Sequence, residues 1–279
     1  MKNLSPKTIY AYECFVLPFV QFVGASSDVM VIDTDIVLNY IVTLFERPLA
    51  DATRATYIRH IKAFIRWLKD YYAIPVALSE IEIPKTEKKF VRILSNEDVK
   101  HLFSCIQSKP AWIQARDRAI IALMLDSGLR QNEVSTLLRS NVYASYAIVQ
   151  GKGSKERAVP IGSMVRRFLD AYYSLCPFQS EYVFADRHGS QLSNNAIKLM
   201  VQKVKRASGI DFSSHKLRHN FATNYCIDSL ETTGQCDAYT LKALMGHESI
   251  STTERYMHYA QSLIASKNNH SHLDSVFGV

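Results

Sequence analysis

A histidine and a tyrosine lie nine residues apart in the stretch Gly246-His247-Glu248-Ser249-Ile250-Ser251-Thr252-Thr253-Glu254-Arg255-Tyr256. Tyrosine is a poor nucleophile at neutral pH, with a pKa near about 10, so a phenol that attacks anything needs a base and a strongly electropositive target site. Local punctuation brings the two residues together. Gly246 suits the left-handed residue that ends a helix. Ser251 followed by Glu254 has capping-box spacing, which predicts a helix beginning at Ser251 and carrying Tyr256 in its second turn. Tyr259, three residues on, shares that face and is the rival nucleophile.

Upstream residues supply positive charge and further imidazoles. Arg130 follows the break Ser127-Gly128 after a long apolar helical run; it can pair with Glu133, three residues on, or grip a phosphate with its guanidinium fork. Lys152 stands in Gly151-Lys152-Gly153, at the tip of a hairpin predicted from Tyr146 to Gln150 and from Arg157 to Ile161. A glycine-flanked lysine is commonly a solvated turn residue, and the G-x-x-x-x-G-K-S/T pattern of a nucleotide-binding loop is missing. His215 and Arg218, three apart, share one helix face. His215 and His219 have the spacing of a metal-binding pair, but the glutamate of an H-E-x-x-H helix is missing, so no metal site is assigned and His219 reads as packing or hydrogen-bonding within the fold.

Taken in order, Arg130, Lys152, His215, Arg218, His247 and Tyr256 resemble the arginine, lysine, histidine, arginine, histidine and tyrosine set of the tyrosine recombinases, also called the phage integrase family. The resemblance runs from about Ser5 to about Tyr259. It implies a mainly α fold with a small antiparallel β-sheet: a helical core-binding domain at 1–86, a linker at 87–94, a catalytic domain at 95–260, and a tail at 261–279 that docks on a neighbouring protomer. It also implies site-specific recombination of double-stranded DNA. Tyr256 would attack a phosphodiester, Arg130 and Arg218 would stabilise the transition state, and His215 would hold the phosphate and help accept the phenol proton. Lys152 would protonate the departing 5′ oxygen, and His247 would hydrogen-bond the phosphate. The 3′-phosphotyrosyl intermediate retains the bond energy, so rejoining needs neither metal nor ATP, and no cofactor is expected. Two such rounds through a Holliday junction, by four protomers on two duplexes, would exchange strands. The short two-domain plan, with no arm-binding domain before Ser5, is that of Xer-like enzymes and many mobile-element integrases. One departure is the stretch Ile227 to Thr240, longer than the family's usual connection. The alternatives are a type IB topoisomerase, which shares the chemistry, and a noncatalytic DNA-binding regulator on the same scaffold.

The elements that must position these residues are mostly helices. Residues 5–83 read as helical, with apolar positions at helical spacing, a start at Pro6 and further starts after Asp33 and near Asp51. The third of these helices carries an apolar stripe (Ile58, Ile61, Ile65, Leu68) beside a basic one, Arg59, Lys62, Arg66 and Lys69. Such a stripe is either a solvated face or a row of phosphate contacts. Later helices are predicted from Ser95 to about Gln107, Trp112 to Asp126, Gln131 to Leu138 and Met164 to Tyr173, with a short strand at Tyr182 to Phe184. A helix capped by Ser193 presents Lys198, Lys205 and Arg206 on one side, as a DNA-facing helix or any exposed helix would.

The charge is unevenly spread over the 279 residues. Net charge is +7 overall; residues 1–89 hold 11 basic and 10 acidic side chains, whereas residues 130–218 hold 14 and 6. The basic second half favours a polyanionic partner. Five cysteines without a C-x-x-C pair argue against a disulfide or zinc framework, and no segment reads as a signal peptide or membrane span, so a reduced, cytoplasmic protein without a membrane partner is expected.

Overall fold

The computed structural model describes residues 6–85, 92–151, 155–267 and 276. The chain divides into two compact units, Met1–Lys89 and Phe90–Val279. Among the described residues, helices dominate and the sheet is a single two-stranded one, the mainly α class with a small antiparallel sheet. No described helix is long and apolar enough to cross a membrane.

The first unit packs α1 (Pro6–Val23), α2 (Thr34–Glu46) and α3 (Asp51–Tyr72) around Phe19, Val37, Tyr40, Leu44, Ile58, Ile61 and Ile65. Asp33 caps α2 by accepting from the Ile36 N–H at 2.8 Å. The chain after α3 folds back, burying Ile74, Val76 and Ile81 against the same core. Two lysines of the predicted basic stripe hold that return: Lys62 Nζ donates to the Ile81 carbonyl at 2.7 Å, and Lys69 Nζ donates to the Val76 carbonyl. Arg59 and Arg66 remain exposed. The stripe is therefore not one uniform free surface.

In the second unit α4 (Asn96–Ser104) precedes α5 (Ala111–Asp126), which is buried on nearly all sides through Trp112, Ile113, Ala119, Ile120, Ile121, Leu123 and Met124. A helix apolar around its whole circumference belongs at the centre, and α5 packs against both α7 (Ser163–Leu175) and α9 (Ser214–Thr233). Between them come α6 (Gln131–Thr136), the antiparallel pair β1 (Tyr146–Gln150) and β2 (Glu156–Pro160), and α8 (Asn194–Ser208). The unit continues through α10 (Ala238–Met245) to α11 (Ile250–Lys267).

Several local expectations shift, for identifiable reasons. α4 stops at Ser104 rather than near Gln107. α6 stops at Thr136 rather than Leu138, and the strand expected at Tyr182 to Phe184 is only an isolated bridge between Leu138 and Tyr182. Both differences have one cause: Leu137 accepts from the Val183 N–H at 2.7 Å and Arg139 donates to the Glu181 carbonyl at 2.8 Å, so a long-range pairing replaces the last helical turn. α11 begins at Ile250, not Ser251; the Ser251 hydroxyl meets Ser249 Oγ at 2.8 Å, within the first turn. The long stretch 227–240 extends α9 to Thr233, ends it on left-handed Gly234, and restarts at Asp237, whose carboxylate caps α10.

Candidate active site

The site is built where the start of α6, β2, α9 and the α10–α11 turn come together around buried Glu133. Gly128 ends the segment after α5 at φ +63°, and a Cβ there would lie 2.3 Å from Phe221 Cδ1 of α9. Only glycine lets the Phe221 ring pack so closely on this turn. Arg218 on α9 donates to the Gly128 carbonyl at 2.6 Å, and it also donates to the Met245 carbonyl at the end of α10. Arg130, the N-cap of α6, donates from Nη1 to Glu133 at 2.8 Å and from Nη2 to the Gly246 carbonyl at 2.7 Å. The two guanidiniums thus anchor through carbonyls and one carboxylate. Arg130 keeps 39% of its side-chain surface exposed, and Arg218 only 4%.

Glu133 unites this array. Arg157 of β2 meets it with both terminal nitrogens, at 2.7 and 2.8 Å, and donates from Nε to the Leu244 carbonyl at 2.7 Å. Burial opposes the ionised form of Glu133, but hydrogen bonds and charge from Arg157, then Arg130, outweigh it and hold the carboxyl below its ordinary range. Arg218 is lowered to about 9, first by burial and then by the Arg130 charge. A single buried carboxylate therefore cements a field that stays strongly positive. Such a field suits a phosphodiester whose charge grows in the transition state.

His215 is exposed on a cavity of about 540 Å³ that also has Arg130, Arg218, Lys198, Lys205 and Ser214 in its walls. Partial desolvation, then the charges of Arg218 and Arg130, lowers its pKa. His247 is half-buried, meets Thr253 Oγ1 through Nδ1 at 3.0 Å, and stacks on Tyr256 with ring centroids 6.1 Å apart. Burial and then Arg218 and Arg130 lower it from 6.5 to about 4, so it is neutral at pH 7. The half-buried Tyr256 hydroxyl lies 2.5 Å from His219 Nδ1. Burial raises the phenol's pKa while Arg218 and Arg255 oppose the rise.

Of the residues picked from sequence, the structure thus brings Arg130, His215, Arg218, His247 and Tyr256 into one region. Lys152 lies outside the described residues, although the hairpin strands β1 and β2 that flank it are present. Lys198 and Lys205 line the cavity; Lys205, like Lys216, is ion-paired with exposed Asp211, and Arg206 is exposed on the same helix. The imidazole on the phenol is that of His219, which the sequence reads as packing or hydrogen-bonding within the fold; His215, to which the family resemblance gives the phosphate and a share in accepting the phenol proton, meets His219 edge-on, with centroids 4.3 Å apart. Arg157 was visible only as part of a Gly-Lys-Gly-x-Lys-x-Arg run, and nothing in strand spacing pairs it with a glutamate 24 residues away.

Comparison with known proteins agrees with this geometry. Residues 92–262 match the phage integrase family. A tyrosine recombinase XerD of Chlamydia pneumoniae is 29% identical, over 95% of this chain and 89% of its own length. A tyrosine recombinase XerC of Oceanobacillus iheyensis is 28% identical, over 97% of this chain and 92% of its own. The fold is similar to that of XerH site-specific recombinase bound to palindromic difH substrate in a post-cleavage complex, with a TM-score of 0.77 and 21% identity over 95% of this chain and 80% of the other. It is also similar to a lambda integrase tetramer bound to a Holliday junction, with a TM-score of 0.73 and 17% identity over 91% of this chain and 72% of the other. The family match spans more than half of the chain and contains every residue of the arginine, histidine and tyrosine cluster, and the protein belongs to the phage integrase family, the tyrosine recombinases.

Proposed function

We propose that this protein is a site-specific DNA recombinase that cleaves one strand of a duplex through a 3′-phosphotyrosyl intermediate and passes the strand to a second duplex through a Holliday junction. The observation that carries this reading is a chain of contacts: the Tyr256 phenol stacks with His247 and meets His219, and His219 lies against His215, which shares a cavity with Arg130 and Arg218. Tyr256 attacks phosphorus; Arg130 and Arg218 stabilise charge on the nonbridging oxygens; His215 and His247 orient the phosphate. Lys152, carried between β1 and β2, is the general acid for the departing 5′ oxygen. Because the phosphotyrosyl bond conserves the energy of the cleaved one, a 5′-hydroxyl from the partner duplex reverses the step with no nucleotide consumed.

Similarity to a lambda integrase tetramer on a Holliday junction supports four protomers acting on two duplexes, and a cytoplasmic location fits a DNA substrate. The biological outcome is dimer resolution or the integration and excision of a mobile element. Exposed Arg59 and Arg66 of the first unit, with Lys198, Lys205 and Arg206 of the second, contact DNA phosphates.

The test is a trapping assay with purified protein and nicked suicide duplexes drawn from a library of sites, with the linked peptide mapped. A covalent adduct at Tyr256, formed without metal or ATP and lost in Tyr256→Phe while DNA binding persists, is expected. An adduct mapped to Tyr259 or surviving in Tyr256→Phe would refute the assignment of the nucleophile, and relaxation of arbitrary supercoiled plasmid without a partner site would favour a topoisomerase.

A further inference from the structure

We propose that His219 is the base that takes the phenol proton when Tyr256 attacks, a step that rests on the recombinase reading above. Four observations converge on it. Its Nδ1 lies 2.5 Å from Tyr256 Oη, whereas the contact of His215 is with the His219 ring. Both side chains are half-buried, Tyr256 on α11 and His219 on α9, so the contact joins two packed helices. His219 stands one residue beyond Arg218, which places a proton acceptor on the helix that also carries a phosphate-binding guanidinium. Its ring is also uncharged at neutral pH: burial, then His215, Arg255 and Arg218, lowers its pKa to about 4. A neutral ring with its proton on Nε2 offers the Nδ1 lone pair to the phenolic O–H.

The same surroundings make the base conditional on substrate. Burial and the charges of His215, Arg255 and Arg218 disfavour an imidazolium at His219, and an anionic phosphodiester offsets them when it binds, because an opposite charge nearby favours the protonated ring. The phenol thus loses its proton only when a phosphate is present to be attacked. In the balanced step the Tyr256 Oη–P bond forms as the O–H proton passes to His219 Nδ1. The P–O5′ bond breaks with its electron pair on O5′, which takes a proton from the general acid assigned to Lys152. Rejoining runs the transfer backwards: the incoming 5′-hydroxyl gives its proton to the acid's conjugate base, and the leaving phenolate recovers its own from His219.

The experiment is single-turnover cleavage of a nicked suicide duplex by wild type, His219→Asn and His219→Ala, with DNA affinity and thermal melting measured on each. Asparagine retains an acceptor oxygen near the place of Nδ1 but cannot take a full proton. His219→Asn is expected to bind DNA as wild type does and to cleave about 10²–10⁴-fold more slowly. His219→Ala is expected to be equally slow and to regain cleavage as imidazole is added, with substituted imidazoles ranking by basicity. Cleavage by His219→Asn within about threefold of wild type, or slow His219→Ala cleavage indifferent to imidazole, would overturn the role of His219 while leaving the function intact. Absence of any adduct from wild type would overturn the recombinase reading and this role with it.

Discussion

Glu133 sets one carboxylate among Arg130, Arg157 and Arg218, and it is 3% exposed. Removing its charge leaves buried guanidiniums uncompensated, which is far more costly than losing a surface pair. Glu133→Gln is expected to destabilise the protein by about 3 kcal/mol, seen as a melting temperature lowered by roughly 10 °C. Cleavage should fall further than binding, because Arg130, proposed to grip the phosphate, loses its carboxylate partner and Arg218 loses its nearest counter-charge. Titration acts on the same residues in two windows. Folding lowers His219 and His247 from 6.5 to about 4, so between those values the unfolded chain binds more protons than the folded one. Stability is therefore full above about pH 6.5 and declines as pH falls towards 4. Glu133, lowered from 4.5, contributes fully above that value and loses its share in stronger acid. Melting curves between pH 7.5 and 4.5 should show a falling melting temperature, with a shallower fall in His219→Asn.

Among elements, α9 contributes most to the site, since it carries His215, Arg218 and His219 and packs against both α5 and α11. It packs against Gly128, where a positive φ coincides with a Phe221 ring so close that an added Cβ would lie 2.3 Å from it. Gly128→Ala must move either the Phe221 ring or the turn that presents Arg130, and is expected to cost about 3 kcal/mol or more as strain and overpacking combine. Gly209 and Gly234 have similar φ, +67° and +73°, but a Cβ added at either would meet nothing within 4 Å. Alanine there should cost only about 1 kcal/mol, the backbone term alone. Thermal denaturation of the three variants separates packing from backbone strain; equal losses would contradict the account of Gly128.

For the whole molecule, charge decides binding. The excess of 14 basic over 6 acidic side chains in residues 130–218 suits a polyanionic partner, and each phosphate neutralised should steepen the fall of affinity with salt by about 0.9 in log–log slope. Arg59→Gln, Arg66→Gln and Lys198→Gln are each expected to reduce that slope by about one. Lys62→Gln and Lys69→Gln should leave the slope unchanged and lower the melting temperature, because those ammonium groups are spent on the Ile81 and Val76 carbonyls. A slope loss in the lysine variants would return them to the DNA-facing surface.

Much of this protein was legible in its sequence because the signals are local. Asp33, Ser95, Ser193 and Gly246 mark helix ends through their own backbone and capping chemistry, and apolar periodicity along α3 and the apolar run of α5 reveal their buried faces. The identities and order of Arg130, His215, Arg218, His247 and Tyr256 likewise needed no coordinates. Tertiary structure decided what depends on residues far apart in the chain. It ended α6 early so that 137–139 could pair with 181–183, and turned Lys62 and Lys69 inward onto a returning segment. It put Arg157 on Glu133 across 24 residues and His219 on Tyr256 across 37. Periodicity and capping act within a turn or two of helix, whereas the partner of a buried charge or of a phenol proton is chosen by packing between elements, which no local pattern encodes.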